Sequence, residues 1–241
     1  MQQDHRKDFF EALEKIRNLD SLAISRYADG EASVLKNITV GNKDGWLYKK
    51  DKNLVFRSDL RKSLQCTDEN FIYGISSRNV DEKNYLFLKK FIQQKLSQIT
   101  FSDIWVNANY DLFNEHFLLT IRETNKKISV ITNPKAQIGN LKRHITISGT
   151  IPIKGNCVVY WEKKREYIKG LLDLEASLND PMIFLIAAGP LTNIIIHEMW
   201  NTNKNNIYID VGSTLDPIIF NRKSRNYHKP GHPDREVVDQ W

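Results

Sequence analysis

The stretch that decides the fold reads PMIFLIAAGP and occupies positions 181–190. Its first eight residues are almost continuously apolar, which is typical of a strand buried on both faces of a parallel sheet. The run ends in small residues, a glycine and a proline, and the residues that follow at 191–200 have helical character. A buried strand that turns directly into a helix predicts one unit of an α/β domain.

Short apolar runs alternate with helical stretches along the rest of the chain. Further strands are predicted at 21–25, 70–75, 101–106, 127–132, 144–147 and 206–212. Further helices are predicted at 8–19, 84–99, 111–121 and 160–178. This alternation favours a Rossmann-like α/β fold, with a mostly parallel sheet and helices on both of its faces.

Neither a long polar linker nor a repeat divides the sequence, so we expect a single domain over 1–220. The stretch 41–59 is rich in lysine and glycine, and we interpret it as an excursion that forms a loop over the site. The segment 221–241 is basic, broken by prolines and poor in core residues. Such a composition predicts a solvated tail. The alternative is a strap that folds across the substrate end of the domain.

The composition is that of an ordinary globular protein. The chain has 241 residues, of which 41% are hydrophobic and 27% charged, and this excludes disordered and fibrous classes. Its two cysteines exclude a disulfide scaffold and a zinc module built on cysteine clusters. Because it lacks a run of about 20 apolar residues and an apolar secretion signal, we expect a cytoplasmic protein. The net charge of +6 indicates either an attraction to phosphate groups or simply a lysine-rich surface.

The first candidate site follows the first predicted strand and reads SRYADGE at 25–31. Ligands of parallel sheets bind outside the carboxyl ends of the strands, and Gly30 allows a tight turn that brings Asp29 and Glu31 together. Two carboxylates about 4 Å apart repel by roughly 4 kcal/mol at a surface-like dielectric, and Mg²⁺ or Mn²⁺ would remove this penalty. Arg26 is suited to phosphate or to one of the carboxylates. The alternative is a helix start, with Asp29 as N-cap.

The second candidate site is the turn after the strand at 181–188. We predict Pro190 at the first helical position, and the exposed amides around Gly189 would hold an anion. Small residues at this turn are equally well explained by packing against the sheet.

The third candidate site follows the last predicted strand and contains Asp210 and Asp216. Either carboxylate could support a metal ligand, bind a ribose or act as a general base. Acidic residues at strand ends also cap turns, so a purely structural role is the alternative.

In combination, the three segments resemble the GT-D glycosyltransferases, a family first described as a domain of unknown function. RYADGE at 26–31 is similar to the family's Arg-x-Gly-Asp-Gly-Glu motif. IAAGP at 186–190, followed by IDVG at 209–212 and by Asp216, is similar to the family's later blocks in the right order. The resemblance extends from Leu22 to about Phe220.

Two positions depart from the family pattern. Ala28 stands where the family has a glycine, which is a small change. Ser213 stands where the family has a histidine, and this puts any role of that histidine in doubt.

The resemblance implies a transferase of the hexosyltransferase type in polysaccharide biosynthesis. It would move a sugar from a nucleotide-diphosphate donor to a glycan, glycolipid or glycoprotein acceptor, with Mn²⁺ or Mg²⁺. It implies Asp29 and Glu31 as the metal and diphosphate site, and Arg26 as a catalytic neighbour that steadies this site or the phosphates. We also assign Asp216 as the general base for the acceptor hydroxyl. The residues expected to contact the donor are Arg26, Gly30, Gly189, Pro190 and Asp210.

Two other functions stay open on the sequence. A metal-assisted phosphoester hydrolase would use the same acidic pair. A non-catalytic nucleotide- or nucleic-acid-binding protein would use the basic C-terminal segment, but Tyr227 and Trp241 are too few for base stacking, and we expect no nucleic-acid partner. The basic charge is also consistent with a peripheral membrane contact that presents a lipid-linked acceptor.

Overall fold

The computed structural model describes residues 1, 4–92, 95–178 and 181–241. The strands in these ranges are β1 (Leu22–Tyr27), β2 (Val40–Gly41), β3 (Leu47–Tyr48), β4 (Phe71–Ile75), β5 (Ile99–Phe101), β6 (Ile128–Thr132), β7 (Ile147–Pro152), β8 (Ile183–Ala187) and β9 (Ile207–Asp210). Within the described ranges, seven strands form one sheet in the order β5-β4-β1-β9-β8-β6-β7, and all of its pairings are parallel. β2 and β3 form a separate antiparallel hairpin.

Helices cover both faces of the sheet. One face carries α2 (Asp29–Leu35), α3 (Leu54–Lys62), α4 (Arg78–Lys89), α8 (Cys157–Ala176) and α9 (Leu191–Thr202). The other face carries α1 (His5–Asn18), α5 (Tyr110–Leu112), α6 (Leu118–Glu123), α7 (Ile138–Leu141) and α10 (Asp216–Ile219). A π-helical turn at Phe113–Phe117 joins α5 to α6. The single-domain Rossmann-like architecture predicted from the alternation of strands and helices is confirmed.

The apolar run in β8 shows why the sheet needs both layers. Ile183 and Leu185 point into the core beneath α1 and α6, whereas Phe184 and Ile186 point into the core beneath α8 and α9. All four side chains are at most 1% exposed. A strand without a wet face has no polar position, and its sequence is therefore continuously apolar.

Three of the predicted elements differ most from the observed ones. The strand predicted at 101–106 is wrong: β5 ends at Phe101, and Ile104 and Val106 donate amide hydrogen bonds to Phe101 and Asp103 within a turn. The strand predicted at 144–147 begins only at Ile147, since Ile145 packs beneath the end of α7.

The third difference is the helix predicted at 84–99. The observed helix α4 ends at Lys89, ten residues before β5 starts. Part of the prediction, at 93–94, lies outside the described residues.

The C-terminal strap, residues 221–241, packs along the carboxyl end of the sheet. Tyr227 is 7% exposed, and its hydroxyl lies 2.7 Å from Ser213 Oγ. The Trp241 ring stacks on Phe101 with centroids 4.4 Å apart. The segment is therefore not the solvated tail favoured by its composition, because the buried Tyr227 and the half-buried Trp241 anchor it to the domain.

Among the described residues, the helices are too short or too polar to span a lipid bilayer.

Candidate active site

The candidate site lies where two neighbouring strands send the chain to opposite faces of the sheet. The chain leaves β1 into α2 on one face, and it leaves the adjacent β9 towards α10 on the other. This divergence opens a crevice at the carboxyl ends of the strands, where ligands bind in open α/β sheets. A cleft of about 640 Å³ occupies the crevice, which is within the usual range for small-molecule sites. All residues predicted for the site line it, namely Arg26, Asp29, Gly30, Glu31, Gly189, Pro190, Asp210 and Asp216.

The acidic pair sits in the first turn of α2. The N-cap of α2 is Ala28, and Asp29 is the first residue of the helix. The alternative prediction, a helix start with Asp29 as the N-cap, is therefore wrong by one residue. The Ala28 amide donates to Glu31 Oε2 at 3.0 Å, which folds this carboxylate back towards the helix start. Both carboxylates thus lie where the amide groups of the first helical turn favour negative charge.

Glu31 has the more perturbed environment of the two. Burial of its carboxyl group raises the pKa to about 7, the Ala28 amide opposes this rise, and the charges of Asp210 and Asp29 add to it. The Asp29 side chain is exposed, and within the described residues its carboxylate has no hydrogen-bond or ion-pair partner. A nearby cation would favour the ionised form of Glu31.

The chemistry of these donors fits a hard divalent cation. Asp29 and Glu31 offer carboxylate oxygens, and Mg²⁺ is commonly held by one or two carboxylates together with substrate phosphates. Across the described residues, no group of three or more His, Cys, Asp or Glu side chains is arranged to hold a metal ion.

Arg26 and Asp210 form the floor of the cleft, and Arg26 holds this floor together. Its backbone amide donates to Asp210 Oδ2 at 3.3 Å, and its Nη2 lies 3.5 Å from Asp210 Oδ1. Its Nη1 donates to the Ser102 carbonyl at 3.0 Å. Burial raises the pKa of Asp210, and the Arg26 charge opposes that rise. The guanidinium group therefore reduces the energetic cost of burying a carboxylate here.

Asp103 is a cleft residue that the sequence reasoning missed. It lines the same floor, and burial raises its pKa while the Arg26 charge opposes the rise. Its position two residues after the end of β5 could have identified it, but the strand predicted at 101–106 placed Asp103 inside a strand.

The turn at Gly189 differs in detail from the anion cradle that was predicted. Pro190 is the N-cap of α9 rather than its first residue. The Ala188 amide donates to Thr192 Oγ1 at 2.9 Å, and the Thr192 amide donates to the Gly189 carbonyl at 3.0 Å. Because these amides are used inside the protein, the turn offers the cleft a surface of small residues for close approach.

Trp46, in the hairpin loop between β2 and β3, was also missed. A Cβ built on Gly30 would lie 3.2 Å from its Cζ2, and one built on Gly189 would lie 3.1 Å from its Cδ1. The indole thus packs on both glycines at the cleft wall. A lone tryptophan in a lysine- and glycine-rich stretch was the available signal. The loop predicted at 41–59 lies at the site only with residues between 42 and 46, and residues 54–59 belong to helix α3 instead.

Asp216 joins the cleft to the C-terminal strap. Asp216 is 6% exposed, and its Oδ2 accepts a hydrogen bond from Ser224 Oγ. Burial raises its pKa, and the hydrogen bond from Ser224 opposes the rise. Arg222, Arg225 and Tyr227 of the strap also line the cleft, so its rim is more cationic than its floor.

Solved structures with a similar architecture support the fold assignment. One, "Selenomethionine substituted structure of domain of unknown function 1792 (DUF1792)", has a TM-score of 0.61 and 15% identity, over 97% of this chain and 89% of that chain. A second, "The highly conserved domain of unknown function 1792 has a distinct glycosyltransferase fold", has a TM-score of 0.60 and 14% identity over the same shares. A third, "A New Glycosyltransferase (DUF1792) from Streptococcus sanguinis", has a TM-score of 0.60 and 14% identity, over 97% of this chain and 92% of that chain.

At this level of identity the similarity shows the fold, and the chain has the fold of these DUF1792 domains. The fold expected from the resemblance is therefore confirmed. No protein-family model and no curated protein sequence matches the chain.

Proposed function

We propose that this chain is a metal-dependent glycosyltransferase of the hexosyltransferase type. It moves a sugar from a nucleotide-diphosphate donor to a glycan, glycolipid or glycoprotein acceptor. One observation carries the proposal: the ends of two neighbouring strands, β1 and β9, bring Arg26, Asp29, Glu31, Asp210 and Asp216 to one cleft, on a fold shared with domains described as glycosyltransferases.

Asp29 and Glu31 are the residues that would hold Mn²⁺ or Mg²⁺. The cation, when bound, neutralises the negative charge that develops on the leaving diphosphate. The Arg26 charge favours the ionised form of the buried Asp210 carboxylate next to this position, against the effect of burial, which raises the pKa of Asp210. Arg26 thereby fixes the floor on which the donor rests.

Asp216 takes the proton of the acceptor hydroxyl in this proposal. Its raised pKa supports the role, because a carboxylate with a higher pKa is a stronger base. Ser224 holds the carboxylate by donating to Oδ2, and Oδ1 is the oxygen that would take the proton. The small turn at Gly189 allows the donor to approach the backbone closely.

The test is thermal unfolding with a panel of nucleotide sugars and nucleoside diphosphates, each with Mn²⁺ or with a chelator. A ligand at a hundred times its dissociation constant adds about 2.7 kcal/mol to the free energy of unfolding. We expect one donor to raise the Tm only in the presence of the cation. A panel in which every donor leaves the Tm unchanged at saturating concentrations would contradict the proposal.

The products separate this proposal from a phosphoester hydrolase. Incubation of the donor with Mn²⁺ is expected to release nucleoside diphosphate as the sugar passes to water or to an acceptor, whereas a hydrolase that cleaves the diphosphate would release nucleoside monophosphate and sugar 1-phosphate. Chromatography of the nucleotides distinguishes the two.

A further inference from the structure

The C-terminal strap meets the hairpin loop at the rim of the cleft through one carboxylate. Arg225 Nη1 donates to Asp44 Oδ1 at 3.2 Å, and its Nη2 donates to Oδ2. Arg222 Nη2 lies 3.6 Å from the same Oδ1. Asn42 holds the acceptor in place, since its Nδ2 donates to Asp44 Oδ2 at 2.9 Å.

The charges in this cluster do not balance. Arg222, Arg225 and Lys43 supply three positive charges to the lining of the cleft, whereas the carboxylates that act on both arginines are those of Asp44, which pairs with each of them, and Asp216, which interacts with them at longer range. A guanidinium fork binds phosphate oxygens in the same two-pronged way as a carboxylate. A phosphate group carries more negative charge than Asp44 and would satisfy both arginines better.

The position of Arg225 connects this cluster to the acidic pair. Arg225, Lys43 and Asp29 line one side compartment of about 390 Å³. A diphosphate held at Asp29 is therefore in a compartment that Arg225 also lines. The side chain of Arg225 is 27% exposed and that of Asp44 is 28% exposed, so the present pair is partly hydrated and weak enough to exchange.

We propose that Arg225, assisted by Arg222, binds the diphosphate of the donor substrate by exchanging the Asp44 carboxylate for phosphate oxygens. Asp44 acts as an internal competitor for the ligand. This inference rests on the proposed function, and it adds a cationic half, supplied by the C-terminal strap, to a diphosphate site whose acidic half is Asp29 and Glu31.

The exchange predicts opposite effects for the two partners of one ion pair. Arg225→Gln should weaken nucleoside diphosphate binding about tenfold or more, because a charged hydrogen bond is lost. Asp44→Asn should tighten binding about two- to fivefold, because phosphate then no longer has to displace Asp44 from Arg225, and an exposed ion pair contributes a free energy of this size. Arg225→Lys keeps the charge without the fork and should fall between Arg225→Gln and the wild type.

The experiment is calorimetric titration of the full chain with UDP, ADP, GDP and CDP in the presence of Mn²⁺. The nucleosides without phosphate and inorganic pyrophosphate serve as further probes. The matched control is Arg17→Gln, which breaks the exposed ion pair between Arg17 and Glu123 on another face. Pyrophosphate should show the same order of affinities as the nucleoside diphosphate, whereas the nucleoside should be insensitive to all of the variants.

Equal weakening of nucleoside diphosphate binding in Arg225→Gln and Asp44→Asn would overturn the inference. The Arg225–Asp44 pair would then only hold the strap against the hairpin loop. Unchanged affinity in Arg225→Gln would overturn the inference as well, with the proposed function intact. If the wild type binds no nucleoside diphosphate, the proposed function fails and this inference fails with it.

Discussion

The Arg26 guanidinium fills the space beside Gly212 that a side chain would otherwise need. Gly212 has φ +51°, in the left-handed region, and a Cβ at this position would overlap Arg26 Nη2. Gly212 is thus needed both for the turn that follows β9 and for the position of the Arg26 guanidinium group. Its sequence context, IDVG, indicated a turn at a strand end but not the contact with residue 26.

We predict that Gly212→Ala lowers the free energy of unfolding by about 1–2 kcal/mol from the left-handed conformation alone, with a further loss because Arg26 is displaced. Urea denaturation measures the change. The control is Gly139→Ala, since a Cβ at Gly139 meets no atom within 4 Å. Equal stabilities for the two variants would contradict the role given to Gly212.

Among individual residues, the sequence predicts those that follow correctly placed buried strands, and it misses Asp103 because the end of β5 was predicted at 106 instead of Phe101. Asp29, Glu31, Asp210 and Asp216 could be placed because parallel topology collects strand ends at one edge. Trp46 and Asp44 could not, since they reach the cleft from a hairpin whose docking depends on long-range contacts with Gly30, Gly189 and Arg225.

At the scale of elements, apolar runs located the central strands because burial on two faces requires apolar side chains throughout. The same signal failed at 101–106, where Ile104 and Trp105 are apolar because a turn packs them into the core beneath α1. An apolar run reports burial, and only the backbone hydrogen bonds distinguish a strand from a buried turn.

The long helix α8 allows a prediction at this scale. Gly170 lies in its middle with no atom within 4 Å of a built Cβ. Because glycine lowers helix stability through backbone entropy, Gly170→Ala should raise the free energy of unfolding by about 0.5–1 kcal/mol. Urea denaturation checks the sign, and a lower midpoint for the variant would contradict this account of α8.

At the scale of the whole molecule, Asp239 of the C-terminal strap brings the end of the chain next to α1 at its start and next to Asp103 in the cleft. Asp239 of the strap is 3% exposed and accepts a hydrogen bond from Ser77 Oγ at 3.1 Å. His5 Nε2 of α1 lies 4.0 Å from Asp239 Oδ2. Burial raises the pKa of Asp239 to about 7, the Asp103 charge adds to the rise, and Ser77 opposes it. Burial lowers the pKa of His5, so an imidazolium does not offset these acids at neutral pH.

The raised pKa of Asp239 predicts a loss of stability as the pH rises. An aspartate in the unfolded chain has a pKa of about 3.9, so between that value and about 7 the folded state binds the proton more tightly. The contribution of Asp239 to the free energy of unfolding is therefore fully present below about pH 4 and is lost as the pH rises through about 7.

Asp239→Asn should remove this dependence, because asparagine stays neutral. From pH 5 to pH 8 the wild type is expected to lose on the order of 2 kcal/mol more than the variant. Urea denaturation at the two pH values measures the difference. Asp20→Asn, at an exposed position, is the control, and parallel pH profiles for wild type and Asp239→Asn would contradict the prediction.

Calorimetric titration of the nucleotide sugar that raises the Tm most, with Mn²⁺ or with a chelator, tests whether Asp29 and Glu31 hold the cation that binds the donor's diphosphate. We predict that Asp29→Asn and chelation each weaken binding about tenfold or more, while Asp20→Asn binds as the wild type does. Full affinity in Asp29→Asn, with its dependence on Mn²⁺ unchanged, would contradict the claim.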